Sequence, residues 1–527
     1  THWHGAHVPT FADGGPHQRI NPDAKWSFDI QVKDKSATMW YHPHLMGKTY
    51  EHVQMGLSGM LYVDDPPAGD DDPILVQLHE ILPHDYAIND FPIILQTKKF
   101  YNCGEEDEPE QIFTEGFKKD YQFMVNGTMN PYLEVPASMV RLRLLNGDAK
   151  FAFSLNLGNE DNSQTEDFEL IATDAGYTDR SYSLPNIMMS PGERTEWLVD
   201  FRGRAGDTLY LHNVVSDTVR FIPNIIGSKK KNGRDVNLLQ IIVTEDQAAI
   251  SPIIAFPISL HPQEIPAFDE NTKERIKVFE FTDFTVGVEV NPRPVFDSLT
   301  NECKIVTDIN EKNVFSIDNT LMDMTIVNDT VMLGDTEIWT IKNETNDGHP
   351  FHIHDIHFHV TKVLDKDGNE IDPATRPAIF AGPKDNVLVE PGWTLSFVTQ
   401  FNDFGTPIAP QNSYMYHCHI LPHEDRGMMG QFVVWDGSVP TNTEETVTTE
   451  LSVFPNPATN MLFIEGESTQ ESELRIYDLQ GRLLQSQQFA PFSGQQAVDV
   501  SQLSKGMLFL EWISGEQRAV SKVVLER

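Results

Sequence analysis

The sequence predicts an all-β protein built from β-sandwich domains. Apolar and polar residues alternate along many segments: in "VRLRLLNG" (140–147), Val140, Leu142 and Leu144 face one way and the two arginines face the other. Turn residues are abundant, with 33 Gly and 33 Pro among 527 residues. Strong helical periodicity is rare. Together these observations favour packed sheets over a helical or mixed fold.

Breaker-rich stretches divide the chain into four strand-rich blocks, in keeping with its length. The Asp- and Pro-rich stretch 64–73 separates the first block from the second, and the Thr- and Glu-rich stretch 438–450 precedes the last one as a flexible tether. The predicted limits of the four blocks are 1–66, 74–250, 275–437 and 451–527.

The charge balance excludes some classes of partner. The chain has 78 Asp and Glu against 39 Lys and Arg, a net charge of −39. Nucleic acids and anionic membranes carry the same sign, so neither is expected to bind. No apolar run approaches the roughly 18 residues of a membrane-spanning helix, which predicts a soluble protein.

The cysteines bear on the redox compartment of the protein, and the first residues bear on whether the first domain is complete. Cys103 and Cys303 could form one disulfide in an oxidising compartment, although the sequence does not show that they meet. The chain opens on "THWHG", without an initiator Met or the basic and apolar regions of a signal peptide. We therefore expect that the numbering starts inside a domain.

Four short stretches repeat the pattern His-x-His. Residues i and i+2 of a strand point to the same side, so each pair presents two imidazoles together. Eight imidazoles exceed what one tetrahedral zinc takes, and imidazole suits copper, which predicts a cluster of several copper ions. The pairs are His2 and His4, His42 and His44, His352 and His354, and His417 and His419.

A second metal site is predicted around Cys418, which lies between His417 and His419 and points to the opposite side of the strand. His423 and Met428 follow Cys418 by five and ten residues, and His349 would supply a second imidazole. One thiolate, two imidazoles and a weak thioether form a blue-copper electron-transfer site. The two sites would stand back to back, with a short covalent route between them.

Nine histidines fall outside these sets, and for most of them we expect no role in the metal sites. His357 and His359 directly follow the third motif and could line a substrate pocket or a path by which metal enters. The nine are His7, His17, His52, His79, His84, His212, His261, His357 and His359.

The four motifs resemble the copper-binding motifs of three-domain multicopper oxidases of the laccase type. "ADGGPHQRINP", "MSPGER" and "HEDRGMM" are similar to segments of bacterial laccases and copper-efflux oxidases. The resemblance covers most of residues 1–437 and implies three cupredoxin-like sandwich domains. The family has several strands before "HWHG" that are missing here, so we expect the first domain to be incomplete at its N-terminus.

The resemblance also implies which residues bind four copper ions. The type 1 copper would take His349, Cys418, His423 and Met428; the type 2 copper His2 and His352; one type 3 copper His4, His42 and His419; and the other His44, His354 and His417. Asp13 and Glu424 match acidic residues that family members use to supply protons, and carboxyl groups near metal can relay protons.

The implied activity is the one-electron oxidation of phenols or aromatic amines, coupled to the four-electron reduction of dioxygen to water. A metallo-oxidase acting on Cu(I), Fe(II) or Mn(II) is the nearest alternative. A non-catalytic copper-binding or structural protein with the same fold is another, although such relatives usually lose ligands and none is lost here.

The last block has a resemblance of its own. "FPNPATN", "LRIYDLQGRLL" and "SKVVLER" are similar to segments of type IX secretion sorting domains. This similarity implies the type IX secretion machinery as a partner, and it predicts that the protein is secreted or held at the outer cell surface.

Overall fold

A computed structural model shows the predicted all-β class, in which strands far outnumber short helices. The described residues are 1–67, 72–98, 100–101, 111–112, 122–214, 236–245, 255–297, 302–372, 377–438, 452–468, 470–477, 483–514 and 517–526. The chain forms two compact units, Thr1–Val439 and Pro440–Arg527. Within these described ranges, no helix is long and apolar enough to cross a membrane.

The first block contributes a small antiparallel sheet and one short helix. Its elements are β1 (His2–His4), β2 (Ala37–His42), α1 (Thr49–Gln54) and β3 (Gly59–Val63). The middle strand β2 pairs with both others, and His2 lies opposite His42. This pairing brings the first two His-x-His motifs to one end of the sheet.

The second block is a sandwich of two large sheets. Its elements are α2 (Pro73–Ile81), β4 (Asp90–Lys98), β5 (Phe100–Tyr101), β6 (Gln111–Ile112), β7 (Gln122–Val125), β8 (Thr128–Met129), β9 (Tyr132–Val135), β10 (Met139–Asn146), β11 (Phe153–Gly158), β12 (Thr165–Glu166), β13 (Phe168–Thr173), β14 (Gly176–Leu184), β15 (Ile187–Met189), β16 (Arg194–Asp200), β17 (Thr208–Asn213) and β18 (Val236–Val243). The sheet orders are β14-β13-β16-β10-β4-β7-β8 and β12-β11-β17-β18-β9. Apolar side chains of both sheets form the core between them, as in the stack of Phe168 on Trp197.

The alternating strand β10 has no solvent-exposed face. Arg143 on its polar side is buried and hydrogen-bonds Asp90, while Arg141 pairs with Glu196. Thr38 of the first block donates to the same Glu196 at 2.7 Å. The charged face therefore packs against the first block, and ion pairing makes the burial of the two arginines tolerable.

The third block is again a sandwich. Its elements are β19 (Lys273–Phe281), β20 (Val286–Asp297), β21 (Glu302–Lys312), β22 (Phe315–Ile317), β23 (Asp329–Met332), β24 (Thr336–Asn343), β25 (His349–Ile353), β26 (Phe358–Leu364), β27 (Asn386–Val389), β28 (Thr394–Gln400), β29 (Tyr414–Cys418), α3 (Leu421–Glu424) and β30 (Met429–Trp435), with 3-10 turns at Ala378–Phe380 and Pro410–Asn412. The sheet order β23-β30-β29-β25-β27 places the third and fourth histidine motifs on adjacent strands. Phe351 and Trp339 lie in the core beneath them.

The C-terminal unit has two sheets around its own apolar core. Its strands are β31 (Ser452–Phe454), β32 (Met461–Ser468), β33 (Ser472–Tyr477), β34 (Leu483–Phe489), β35 (Phe492–Asp499), β36 (Gly506–Ser514) and β37 (Gln517–Leu525). The finer domain limits stay predictions, and the tether from residue 439 to residue 450 lies outside the described residues. So do Cys103 and the side chain of Cys303, which leaves their disulfide a prediction.

Candidate metal centre

Strand pairing brings the four His-x-His motifs together. His2 faces His42 across β1 and β2, and His352 faces His417 across β25 and β29. Only the first pair lies wholly within one strand, because β2, β25 and β29 end between their two histidines. The second imidazole of each pair still faces the same cluster.

The eight imidazoles are all buried and form three overlapping sets. The candidate ligand atoms of each set lie within 4.8 Å of one another, and the sets are His2, His4 and His352; His4, His42 and His419; and His44, His354 and His417. The Nε2 atoms of His44 and His417 are 3.2 Å apart, and those of His2 and His352 are 3.4 Å apart. Nitrogens this close can bind a shared ion, so three ions would fit.

Most rings use one nitrogen to hold their orientation. Nδ1 of His352 donates to the carbonyl oxygen of Asp385 at 2.8 Å, and Nδ1 of His2 donates to that of Asp13 at 2.9 Å. Nδ1 of His42 donates to the carbonyl oxygen of Pro43 at 3.0 Å. Such hydrogen bonds fix the tautomer and leave the other nitrogen of each ring available as a metal ligand.

Buried nitrogens without a partner show that these residues fit a metal. Within the described part of the chain, Nε2 of His42 and Nε2 of His354 are buried and make no hydrogen bond. A buried polar atom without a partner is costly, unless a bound ion satisfies it. The donor set is rich in imidazole, which is a good ligand for copper.

Burial favours the neutral form of His42, His44, His354 and His419, and metal binding requires neutral imidazoles. Burial lowers the pKa of His419 to about 3 and that of His354 to about 4. Burial, reinforced by neighbouring imidazoles, also holds the pKa of His42 and His44 well below the ordinary value. In the unfolded chain these rings would titrate near the ordinary value of 6.5.

These shifts predict that acid destabilises the copper-free protein. Because the folded-state pKa of each ring is lowered, the unfolded chain binds more protons, and stability falls as pH drops below about 6.5. One ring whose pKa in the folded state is about 4 lowers the free energy of unfolding by about 2 kcal/mol at pH 5. Urea unfolding of the copper-free protein at pH 7.5 and pH 5 measures the loss. The variant His42→Leu should have a shallower pH dependence, and a wild-type stability independent of pH would contradict the prediction.

Cys418 faces a separate set on the other side of its strand. Its Sγ lies 3.4 Å from Nδ1 of His349 and 3.7 Å from Nδ1 of His423. Thr345 hydrogen-bonds Nε2 of His349 at 2.9 Å and so orients that ring. Met428 is buried in the same core, and its carbonyl oxygen accepts the backbone N–H of Cys418 at 3.1 Å.

Asp13 and Glu424 lie on different sides of the imidazole cluster. Oδ2 of Asp13 accepts from Nδ1 of His354 at 2.9 Å. Oε2 of Glu424 is 3.2 Å from Nδ1 of His417, and its Oε1 is 3.6 Å from Nδ1 of His44. Burial opposes ionisation of Asp13, yet its histidine contacts outweigh burial and lower its pKa; burial raises the pKa of Glu424.

Sequence reasoning missed the charged network behind the cluster. Oδ1 of Asp385 accepts from Nε2 of His4 at 3.0 Å, and Arg194 donates to the same carboxylate at 2.7 Å. Arg194 ends the "MSPGER" motif, which could have drawn attention to it, whereas Asp385 is one of 78 acidic residues. In the same motif, Gly192 has φ +85°, and a Cβ there would lie 3.0 Å from Nδ1 of His419.

His357 and His359 lie outside both metal sets. They line a cavity of about 460 Å³ together with His7. The rings of His7 and His357 are 4.2 Å apart, and Nε2 of His357 donates to the carbonyl oxygen of Gly5 at 2.7 Å. They therefore line a pocket, and the two roles that the sequence left open for them, in a substrate pocket or a path by which metal enters, stay predictions.

Comparisons with known proteins agree with this arrangement. Family models described as multicopper oxidase match residues 1–68 and 297–438, and a secretion system C-terminal sorting domain matches residues 452–526. The multicopper oxidase mco of Staphylococcus haemolyticus is 31% identical over 440 residues, covering 82% of this chain and 76% of its own. The cell division protein FtsP of Proteus mirabilis is 29% identical, with 82% and 77% covered.

Solved structures of multicopper oxidases are also similar to this chain. A laccase-like multicopper oxidase from Ochrobactrum sp., with oxidase activity towards lignin model compounds, has a TM-score of 0.61 at 27% identity, covering 82% of this chain and 84% of its own. McoA from Aquifex aeolicus has a TM-score of 0.63 at 26% identity, with 82% and 83% covered. With its three imidazole sets, its Cys418 set and these relatives, the chain belongs to the multicopper oxidase family, copper-dependent oxidoreductases, and its C-terminal residues match a type IX secretion sorting domain.

Proposed function

We propose that this protein is a laccase-like oxidase that oxidises phenols or aromatic amines and reduces dioxygen to water. The observation that carries the proposal is the back-to-back arrangement of the Cys418 set and the three imidazole sets. The ligands are assigned as the sequence predicted. Type 1 copper takes His349, Cys418, His423 and Met428; type 2 takes His2 and His352; and type 3 takes His4, His42 and His419, and His44, His354 and His417.

Copper, when bound, supplies one-electron redox chemistry and a site for dioxygen. The stoichiometry requires four donor molecules, each losing one electron, and four protons for each dioxygen reduced to two waters. Cys418 lies between His417 and His419 in sequence, so the path for electrons between the two sites is covalent. The strand β29 thus connects the donor side of the protein with the oxygen side.

Two carboxyl groups are placed to move protons. Oδ2 of Asp13 accepts a hydrogen bond from Nδ1 of His354, and Oε2 of Glu424 lies 3.2 Å from Nδ1 of His417. Both carboxyl groups are buried; the raised pKa of Glu424 lets it hold a proton there, whereas Asp13, whose pKa is lowered, can only pass a proton on. We assign them as the groups that supply protons for water formation.

The proposal also covers the class of electron donor and the cellular location of the protein. An aromatic donor is supported by the Ochrobactrum relative, which acts on lignin model compounds. A metallo-oxidase acting on Cu(I), Fe(II) or Mn(II) and a non-catalytic structural protein remain the competing functions. The sorting domain supports export by the type IX secretion machinery, to the medium or the outer cell surface.

Copper content and a donor panel test the function. We expect about four copper ions per chain and oxygen consumption with guaiacol, with water as the product. Rapid turnover of Cu(I) without turnover of guaiacol would favour the metallo-oxidase. A fully loaded protein that consumes no oxygen with any donor would favour the structural alternative.

A further inference from the structure

Aromatic rings connect the surface of the third block to the two histidines beside Cys418. The centroid of the Phe315 ring lies 4.6 Å from that of His423 and 4.7 Å from that of His349. Phe281 packs against Phe315 with centroids 4.5 Å apart and an angle of 32° between the rings. These separations are within the range of favourable aromatic contacts. The rings therefore form a continuous path to the imidazoles.

Sheet register fixes this path. Phe281 is the last residue of β19 and Phe315 is the first residue of β22, and the two are direct antiparallel partners. Side chains opposite each other on neighbouring strands lie on the same face of a sheet. Phe279, two residues earlier on β19, packs on His349 with centroids 5.5 Å apart. The face of β19 that carries Phe279 and Phe281 is thus aromatic at its C-terminal end.

Exposure decides which of these rings a donor meets first. His423 is only 9% exposed, whereas Phe281 is 47% exposed. Phe315 is half-buried between them. A donor that approaches along these rings therefore meets Phe281 before Phe315 and His423.

We propose that Phe281 and Phe315 form the docking face for a planar aromatic electron donor. The inference rests on the proposed function and names the residues that determine its donor class. A planar ring can stack on Phe281 in the offset or tilted arrangements that aromatic rings prefer. A metal cation would need oxygen, nitrogen or sulfur ligands, whereas these two side chains offer carbon.

The donor step balances without any further reactant. A phenol loses one electron and its hydroxyl proton and becomes a phenoxyl radical; the proton passes to solvent and the electron enters the protein at His423. Four such oxidations, with four protons taken up, reduce one dioxygen to two waters. Dioxygen is the oxidant that the proposed function already names.

Substitution of the exposed ring tests the docking face in the full-length, copper-loaded protein. Phe281→Leu should raise KM for guaiacol about 3- to 10-fold with kcat unchanged, since one stacking contact is lost equally in the ground and transition states. KM for Fe(II), if it is turned over, should stay within about twofold of wild type. The blue absorption of the cysteine-bound copper should not change, which separates docking from damage to the metal site.

Phe268→Leu is the matched control, because Phe268 is 45% exposed and precedes β19. The nine residues of β19 span about 26 Å, so the control lies far from Phe281. The variant should leave KM for guaiacol unchanged, and Phe281→Tyr should retain the wild-type value.

The outcomes separate this inference from the proposed function. If the wild type oxidises guaiacol but Phe281→Leu and Phe268→Leu have the same KM, the docking face is wrong and the oxidase function stands. If the wild type oxidises Fe(II) and not guaiacol, the metallo-oxidase alternative is favoured, and both the proposed donor class and the aromatic docking face are wrong. If the loaded wild type oxidises neither donor, the proposed function fails and the inference fails with it.

Discussion

Cys418→Ser should abolish donor oxidation and remove about one copper ion per chain. The thiol lies 3.4 Å and 3.7 Å from the Nδ1 atoms of His349 and His423, and its residue also joins His417 to His419 in the chain. A serine hydroxyl is a hard ligand that stays protonated at neutral pH, so it replaces neither the thiolate bond to copper nor the path for electrons. We therefore expect oxygen consumption with guaiacol to fall to background.

The measurements are copper content, the blue absorption of the cysteine-bound copper and oxygen uptake. Because serine is close to cysteine in size, the fold and the imidazole cluster should survive, and about three copper ions should remain. The matched control is Ser413→Ala, a buried residue just before β29, which should keep the blue colour and the activity. If Cys418→Ser retained the blue absorption, the thiol would not be a copper ligand.

Arg194→Gln should destabilise the protein by about 3–5 kcal/mol, the usual cost of removing one partner from a buried ion pair. Arg194 is fully buried and donates to the carboxylate of Asp385 at 2.7 Å. It also donates to the carbonyl oxygens of Thr38 and Asp174 at 3.0 Å and 2.8 Å. One side chain thus connects all three blocks of the first unit, and its loss leaves a buried carboxylate without its cation.

The comparison variant is Arg202→Gln. Arg202 pairs with Asp200 at 2.6 Å, but both side chains are 38% exposed, and surface pairs contribute at most about 1 kcal/mol. Urea unfolding of the two copper-free variants and the wild type measures the difference. Equal unfolding midpoints for Arg194→Gln and Arg202→Gln would show that the buried network does not stabilise the fold.

The Arg194 variant has a second consequence at the metal centre. Asp385 holds Nε2 of His4, and this carboxylate would lose the guanidinium that fixes it. Changes in the groups that orient a metal ligand typically cost about 10- to 100-fold in metal affinity. We therefore expect weaker copper retention against a chelator in Arg194→Gln, with the Cys418 set unaffected.

The sequence predicted most residues of the candidate metal centre because these candidate ligands come in local patterns. The period of two in a strand puts His2 and His4 on one side, and it puts Cys418 on the side opposite to its two neighbours. These relations follow from backbone geometry alone, so they can be predicted from the sequence. The all-β class followed in the same way from alternation along segments such as β10.

These local patterns could not predict the contacts between blocks. The arginines of β10 alternate as residues of a solvent-facing side would, yet Thr38, Glu196 and Asp90 enclose them. The support of His4 by Asp385 joins residues 381 positions apart. Neither position differs in local sequence from ordinary surface charges, so composition and periodicity could not identify it.

The sequence by itself thus determined the fold class, the family resemblance and the identity of the candidate ligands, because strand periodicity and ligand chemistry are local properties. Only the tertiary structure decided that Phe315 packs on the histidines of the Cys418 site with Phe281 beside it, and that Arg194 connects the blocks. Those features depend on which strands pair and which faces pack. The energetic effect of burying a side chain depends on the residues that surround it, and these are distant in sequence.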